Sequence, residues 1–287
     1  MRQETLLTGR SGRLHGRLWI GDRDPLGVVI VVHGLGDHGG RYQAFAEHLC
    51  GEGWCVFAFD LPGHGLSPGA QGTVDSFDAL LVDIAAARQT IHHRFPDLPQ
   101  ALLGVSMGGN LAINYGLRRH QIQPCVAGLA GLVLCAPMLL PPNPPPRPHI
   151  FAAWLTGRLL PWIRVNRPID VRALTSDPDQ ADAIGDDPLM HSRITIYLAT
   201  QLLSQGRWAL DHARDVDIPM LIMYGEEDEL IDKSACQHLP IRTGRLAELV
   251  RWPQKRHDLF HDQGMAKIFE TVANWLRNQA TSFGSQK

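Results

Sequence analysis

The pentapeptide Gly104-Val105-Ser106-Met107-Gly108 lies between an apolar run, Ala101-Leu102-Leu103, and a helix-patterned stretch, Gly108 to Leu117. A serine at such a strand-to-helix junction constrains the chain strongly, because the backbone must turn sharply and lift the hydroxyl clear of its neighbours. The glycines leave room for that turn. Met107 then carries its N–H at a helix N-terminus, where a developing oxyanion is stabilised. A serine in this geometry suits acyl transfer through a covalent intermediate. Gly65-Leu66-Ser67-Pro68-Gly69 repeats the pattern. There, however, Pro68 has no N–H to donate, and no helical pattern follows directly. Ser106 is therefore the candidate nucleophile.

The rest of the chain supplies an α/β framework for that turn. Val28-Val29-Ile30-Val31-Val32 is a continuous β-branched run, expected for a strand buried on both faces of a sheet. Strands are also expected at Trp54 to Phe59, Ala101 to Val105, Gly131 to Cys135, Pro219 to Tyr224 and Leu246 to Trp252. Helices are expected at Arg41 to Leu49, at Phe77 to Phe95 behind the cap residue Ser76, and at Met265 to Leu276. Alternating strands and helices build a mostly parallel sheet covered on both faces. Ligands bind beyond the carboxyl ends of such strands, where the glycine-rich motifs of this chain fall.

With 287 residues and 44% hydrophobic content, the chain can fill a large core. Its formal net charge of -2 provides no basic field for nucleic acid or for electrostatic attachment to an anionic membrane. Five cysteines without framework spacing point to free thiols in a reducing compartment, with Cys50, Cys55 and Cys135 as packing residues. Met1 to Arg10 lacks an apolar signal core, and no stretch is apolar enough to span a bilayer, so a cytoplasmic protein is expected.

One region breaks the alternation. Pro141-Pro142-Asn143-Pro144-Pro145-Pro146 suits a stiff entry loop or hinge. Apolar segments follow at His149 to Leu155 and Leu159 to Ile163, then a polar stretch around Asp177 to Asp187 and a helical one at Ile194 to Leu203. Residues 138–209 read as a cap inserted at the strand ends, between core segments 1–137 and 210–287. Phe151, Trp154 and Trp162 either pack this cap onto the core or present a lipid-facing surface that touches membranes transiently.

A serine nucleophile needs a base, and the base needs an orienting acid. In hydrolases with this strand–turn–helix elbow the chain order is serine, acid, histidine. His257 follows the last expected strand and is the candidate base. Glu226, Glu227, Asp228, Glu229 and Asp232 crowd the loop after the preceding strand, and spacing alone does not choose among them. His261 lies four residues beyond His257, but no H-E-x-x-H glutamate accompanies this pair, so no metal is expected and His261 is placed at the start of the last helix. His33-Gly34-Leu35-Gly36 closes the first buried strand and offers the Leu35 N–H as a second oxyanion donor beside Met107. His64, in Asp60-Leu61-Pro62-Gly63-His64-Gly65, reads as a loop-holding residue.

Taken together, five stretches resemble the monoacylglycerol lipase and lysophospholipase group of α/β-hydrolases, within the serine aminopeptidase S33-like family. They are His33 to Tyr42, Asp60 to Ser67, Gly104 to Gly109, Gly225 to Asp232, and His257 with Leu259. The resemblance covers residues 10–137 and 210–278 and is weakest in the cap. It implies an α/β-hydrolase fold, Ser106 as nucleophile, His257 as base and Asp228 as acid. It also implies the Leu35 and Met107 amides as oxyanion donors and no cofactor. Asp37 stands where the family often has glutamate, Pro62 where it often has arginine, and Gln254-Lys255-Arg256 where small residues are common. The expected substrate is a single-chain lipid ester, with Phe151 and Trp154 of the cap receiving it. Short-chain esterase, thioesterase or carbon–carbon hydrolase activity with the same triad is the alternative, followed by a non-catalytic ligand-binding homologue.

Overall fold

The buried β-branched run does form a central strand. In the structure, a computed structural model that describes residues 1–284 apart from 167 and 169, Gly27–Val32 is strand β3 and is buried at every position. Two strands precede it, β1 (Arg2–Gly9) and β2 (Gly12–Trp19), which form an antiparallel hairpin. The others are β4 (Trp54–Phe59), β5 (Gln100–Val105), β6 (Leu129–Cys135), a short pair β7 (Arg164–Asn166) and β8 (Arg193–Thr195), then β9 (Met220–Gly225) and β10 (Ala247–Trp252). The main sheet has eight strands in the order β1-β2-β4-β3-β5-β6-β9-β10. From β4 to β10 all neighbours are parallel. This is the architecture that the alternating pattern implied.

Helices cover both faces. They are α1 (Gln43–Gly51), α2 (Phe77–Arg94), α3 (Met107–Arg118), α4 (Arg147–Leu159), α5 (Val171–Leu174), α6 (Pro178–Asp186), α7 (Ile196–Asp211), α8 (Lys233–Thr243) and α9 (Met265–Gly284). One apolar cluster packs α2, α3 and α7 against one face, through Leu80, Ile84, Leu111 and Leu198. The other packs α1 and α9, through Phe45, Leu49, Phe269 and Val272. Alternate residues of β3 serve the two clusters: Val28, Ile30 and Val32 face one, Val29 and Val31 the other. Each such side chain stabilises the fold by about 1.5–3 kcal/mol relative to exposure. Ser76 caps α2 as expected, accepting from the Ala79 N–H at 3.0 Å.

Several expectations need correction. The helix expected from Arg41 is split: a 3-10 turn over Gly39–Tyr42 leads into α1. His261 does not begin the last helix but closes a 3-10 turn, Leu259–His261. Cys50 is only half-buried, while Cys55 and Cys135 are buried, and all five cysteines are free. The proline tract gives way directly to α4, with Pro146 as its N-cap. The chain between β6 and β9 holds α4 to α7 and the β7–β8 pair. Residues 167 and 169 of segment 138–209 and the last three residues of segment 210–287 lie outside the described residues. Among the described residues no helix is long and apolar enough to cross a membrane.

Candidate active site

The strand register aligns the exits that matter. Val32 pairs with Gly104, Val105 with Cys135, Cys135 with Met223, and Trp252 with Gly225. The loops after β3, β5, β9 and β10 therefore leave the same edge of the sheet. Those loops carry Leu35, Ser106, Asp228 and His257.

Ser106 has φ 54° and ψ -112°, a conformation that strongly disfavours side chains. It is held there by its own backbone: its N–H donates to Cys135 O at 2.9 Å, and its carbonyl accepts from Met138 N and Asn110 N. The flanking glycines are required by contact. A Cβ on Gly108 would lie 1.9 Å from Val32 O, and one on Gly104 would lie 2.2 Å from Gly108 O. The strand-to-helix turn is thus as sharp as the sequence implied. Gly34 faces it: a Cβ added there would lie 3.5 Å from the Ser106 Cβ. The N–H groups of Leu35 and Met107 donate no hydrogen bond among the described residues.

Of the five acidic residues in the loop after β9, one is buried at the site. Asp228 has a fully buried side chain, while Glu226, Glu227 and Glu229 are exposed. Asp232 instead caps α8, accepting from Ser234 N. His257 Nδ1 donates to Asp228 Oδ2 at 2.7 Å, and Asp228 Oδ1 accepts from Leu230 N at 2.8 Å. Burial alone would lower the His257 pKa, but the charge and hydrogen bond of Asp228 outweigh it and hold it above the ordinary imidazole range. Ser106 Oγ makes no hydrogen bond to His257 among the described residues. In hydrolases in general, hydrogen bonds between a nucleophile and its base are often long without substrate and tighten around it.

The competing residues are occupied elsewhere. Ser67 Oγ donates to Asp60 O at 2.6 Å and accepts from His15 N, which makes it a loop tie. His64 Nδ1 donates to Pro62 O, as a loop-holding residue should. Both ring nitrogens of His261 are engaged, Nδ1 with Asp258 and Nε2 with Arg41 O. Phe151 and Trp154 stack on α4 with ring centroids 5.8 Å apart. With Ile150, Thr200 and Ser204 they line a groove of about 250 Å³ whose lining includes none of Ser106, Asp228 and His257. Phe151 is 63% exposed and Trp162 65%, so neither packs the segment onto the core.

A charged network around the site was not foreseen. Arg41 donates to Asp37 at 3.0 Å and to Asp258 at 2.9 Å, joining the loop after β3 to the residue beside His257. Tyr42 donates to Asp37. Burial opposes the charge of Asp258, yet His261 and Arg41 hold its pKa well below the usual carboxylate range. Asp60, fully buried, accepts from Arg17, Gly39 N and Leu66 N and so braces the same loop from below. Asp37 and Arg41 stood inside a recognised stretch, but nothing local marks a partner more than 200 residues away in sequence.

The profile of the family described as "Serine aminopeptidase, S33" matches residues 23–264. The chain belongs to this family. A monoglyceride lipase of Mus musculus is 31% identical over 274 residues, 94% of this chain and 88% of that one. An abhydrolase domain-containing protein of Dictyostelium discoideum is 26% identical over 276 residues, which are 96% of this S33-family chain but 29% of that longer protein. The crystal structure of a Paleococcus ferrophilus monoacylglycerol lipase superposes with a TM-score of 0.81 at 26% identity, covering 93% of this chain and 99% of that chain. The fold is that of the α/β-hydrolases.

Proposed function

We propose that this protein hydrolyses single-acyl-chain lipid esters, such as monoacylglycerols or lysophospholipids, through Ser106, His257 and Asp228. The protein is a carboxylic ester hydrolase; the substrate class and the roles of the residues are the proposal. The observation that supports it most is the buried 2.7 Å hydrogen bond from His257 to Asp228, at the same sheet edge as the strained Ser106 turn. His257 Nε2 takes the proton from Ser106 Oγ as the oxygen attacks the ester carbonyl. Asp228 fixes the tautomer and stabilises the imidazolium that forms. The oxyanion sits between the Leu35 and Met107 N–H groups. His257 returns the proton to the leaving alcohol. Water, deprotonated by the same histidine, then releases the fatty acid and regenerates Ser106. The reaction needs no cofactor.

The single-chain preference draws on the monoglyceride lipase relative and on the exposed apolar residues within 138–209, which we read as the cap, with Phe151 and Trp154 receiving the acyl chain. Burying each methylene is worth about 0.8 kcal/mol, or roughly fourfold in kcat/KM until the site is filled. Rates on p-nitrophenyl esters from acetate to palmitate, with Ser106→Ala as control, test this. A Ser106-dependent optimum at medium or long chains is expected. An optimum at acetate would overturn the lipid reading in favour of a small-ester hydrolase.

A further inference from the structure

The loop that would supply the Leu35 oxyanion donor carries a histidine at its base that the mechanism above does not use. His33 is fully buried. Its Nε2 lies 2.9 Å from Leu61 N, and its Nδ1 lies 2.7 Å from Gly34 O. A backbone N–H can only donate, so Nε2 must be the unprotonated nitrogen. The proton is therefore on Nδ1, and Nδ1–H donates to the Gly34 carbonyl. Both ring nitrogens are satisfied by one neutral tautomer, and the hydrogen bonds around the ring fix which one it is. Burial keeps His33 below the ordinary imidazole range, with the charges of Asp37 and Asp60 opposing, so the ring stays neutral.

The consequence lies in the next peptide. Gly34 C=O and Leu35 N–H belong to one planar trans unit and point in opposite directions. Whatever holds the Gly34 oxygen also aims the Leu35 N–H. Asp37 N donates to the same oxygen at 3.4 Å, closing a turn in which Gly36 takes φ +74°. That second bond is long, whereas the one from His33 is short. A Cβ added at Gly34 would lie 3.5 Å from the Ser106 Cβ, so this residue faces the serine. A rotation of this peptide would turn the donor away from the reacting carbonyl without disturbing the strand that carries it.

We propose that His33 is a positioning residue: its Nδ1–H locks the Gly34–Leu35 peptide in the plane that presents the Leu35 N–H to the oxyanion. This rests on the reading of Leu35 as an oxyanion donor given above. The same ring also ties the loop after β4 to β3 through Leu61, and that tie is purely structural.

Two substitutions separate the two jobs. In His33→Asn the amide can occupy the Nδ1 position and donate to Gly34 O, while the bond to Leu61 is lost. In His33→Gln the amide oxygen can reach the Nε2 position and accept from Leu61 N, while the bond to Gly34 is lost. Kinetics on the preferred p-nitrophenyl ester, with melting temperatures of both variants, give the readout. Losing an aligned oxyanion donor costs roughly 10²-fold or more in rate. We expect His33→Gln to lose about that factor in kcat with KM nearly unchanged, and His33→Asn to retain at least ten times more kcat than Gln. Equal kcat losses in the two variants, or losses that track only their melting temperatures, would overturn the proposal.

A measurement on the unmodified protein keeps the claim testable if either variant fails to fold. Two-bond ¹H–¹⁵N correlation spectra of ¹⁵N-histidine-labelled protein report the tautomer of each ring. The proposal requires the Nδ1–H tautomer at His33, and the Nε2–H tautomer would refute it. Loss of Ser106 dependence in the wild-type protein would instead sink the underlying catalytic reading. Ser106-dependent turnover with indistinguishable Asn and Gln variants would sink only the role of His33.

Discussion

Replacing Asp228 by asparagine should disable this enzyme more thoroughly than the loss of one charge suggests. The two carboxylate oxygens do different things. Oδ1 accepts from the Leu230 N–H at 2.8 Å, and Oδ2 accepts from His257 Nδ1–H at 2.7 Å. An asparagine in the same rotamer must keep its oxygen toward Leu230, because an amide NH₂ cannot accept that bond. Its NH₂ group then faces His257 Nδ1. The imidazole responds by accepting there and carrying its proton on Nε2, the atom that receives the proton of Ser106 in the proposed mechanism. The base is thus presented in the wrong tautomer, in a pocket where the acid is fully buried and water gives little relief. The corresponding change in a serine protease lowers kcat about 10⁴-fold, or roughly 5.5 kcal/mol of transition-state stabilisation. We expect a loss of that order in steady-state hydrolysis of a medium-chain p-nitrophenyl ester, with circular dichroism unchanged. Glu227→Gln, on an exposed residue of the same loop, should be neutral. The wild-type acid limb should lie above the usual imidazole range, because the base works only when neutral and Asp228 raises its pKa. An Asp228→Asn variant within tenfold of wild type would refute this reasoning.

Two further expectations concern the scaffold. The depressed pKa of Asp258 means that its ion pairs with His261 and Arg41 stabilise the fold above the unfolded carboxylate pKa of about 4 and progressively less as pH falls below it. Asp258→Asn should therefore lower the melting temperature at pH 7, with the gap to wild type narrowing as pH falls from about 4 toward about 2. A gap that stayed constant across that range would contradict the linkage. Gly108→Ala would set a methyl group 1.9 Å from Val32 O and 2.7 Å from His33 O, backbone atoms that cannot swing away. We expect a loss of about 1–3 kcal/mol in urea unfolding together with impaired turnover, and an unchanged urea midpoint would count against the packing argument.

The parts of the fold that could be read in advance share a physical cause. Strands such as Gly27–Val32 are buried on both faces, so their apolar runs are unbroken and conspicuous. The Ser106 turn was legible because its glycines and its serine are local to one pentapeptide. The β1–β2 hairpin was missed because its sequence, Arg2 to Trp19, mixes charged, polar and glycine positions at a sheet edge with only partial burial. Helix α8 was missed because Pro240 lies inside it and its apolar positions do not gather on one face: Ala235, Cys236 and Leu239 are buried while Ile241 is exposed. The choice of Asp228 over its acidic neighbours came from family resemblance, and burial now distinguishes it physically. The clamp of Asp37, Arg41 and Asp258 was invisible because folding alone brings its members together. Phe151 and Trp154 were singled out for their apolarity, but composition does not say which way α4 turns them.

The central claim is that Ser106 is the nucleophile of an acyl-transfer site, and covalent trapping tests it most directly. Purified protein would be treated with a long-chain fluorophosphonate, its intact mass measured, and the adduct located by peptide sequencing. The account predicts a single adduct on Ser106, formed at least a hundredfold more slowly in His257→Ala and not at all in Ser106→Ala. An adduct on Ser67, or labelling that persists without Ser106, would contradict it.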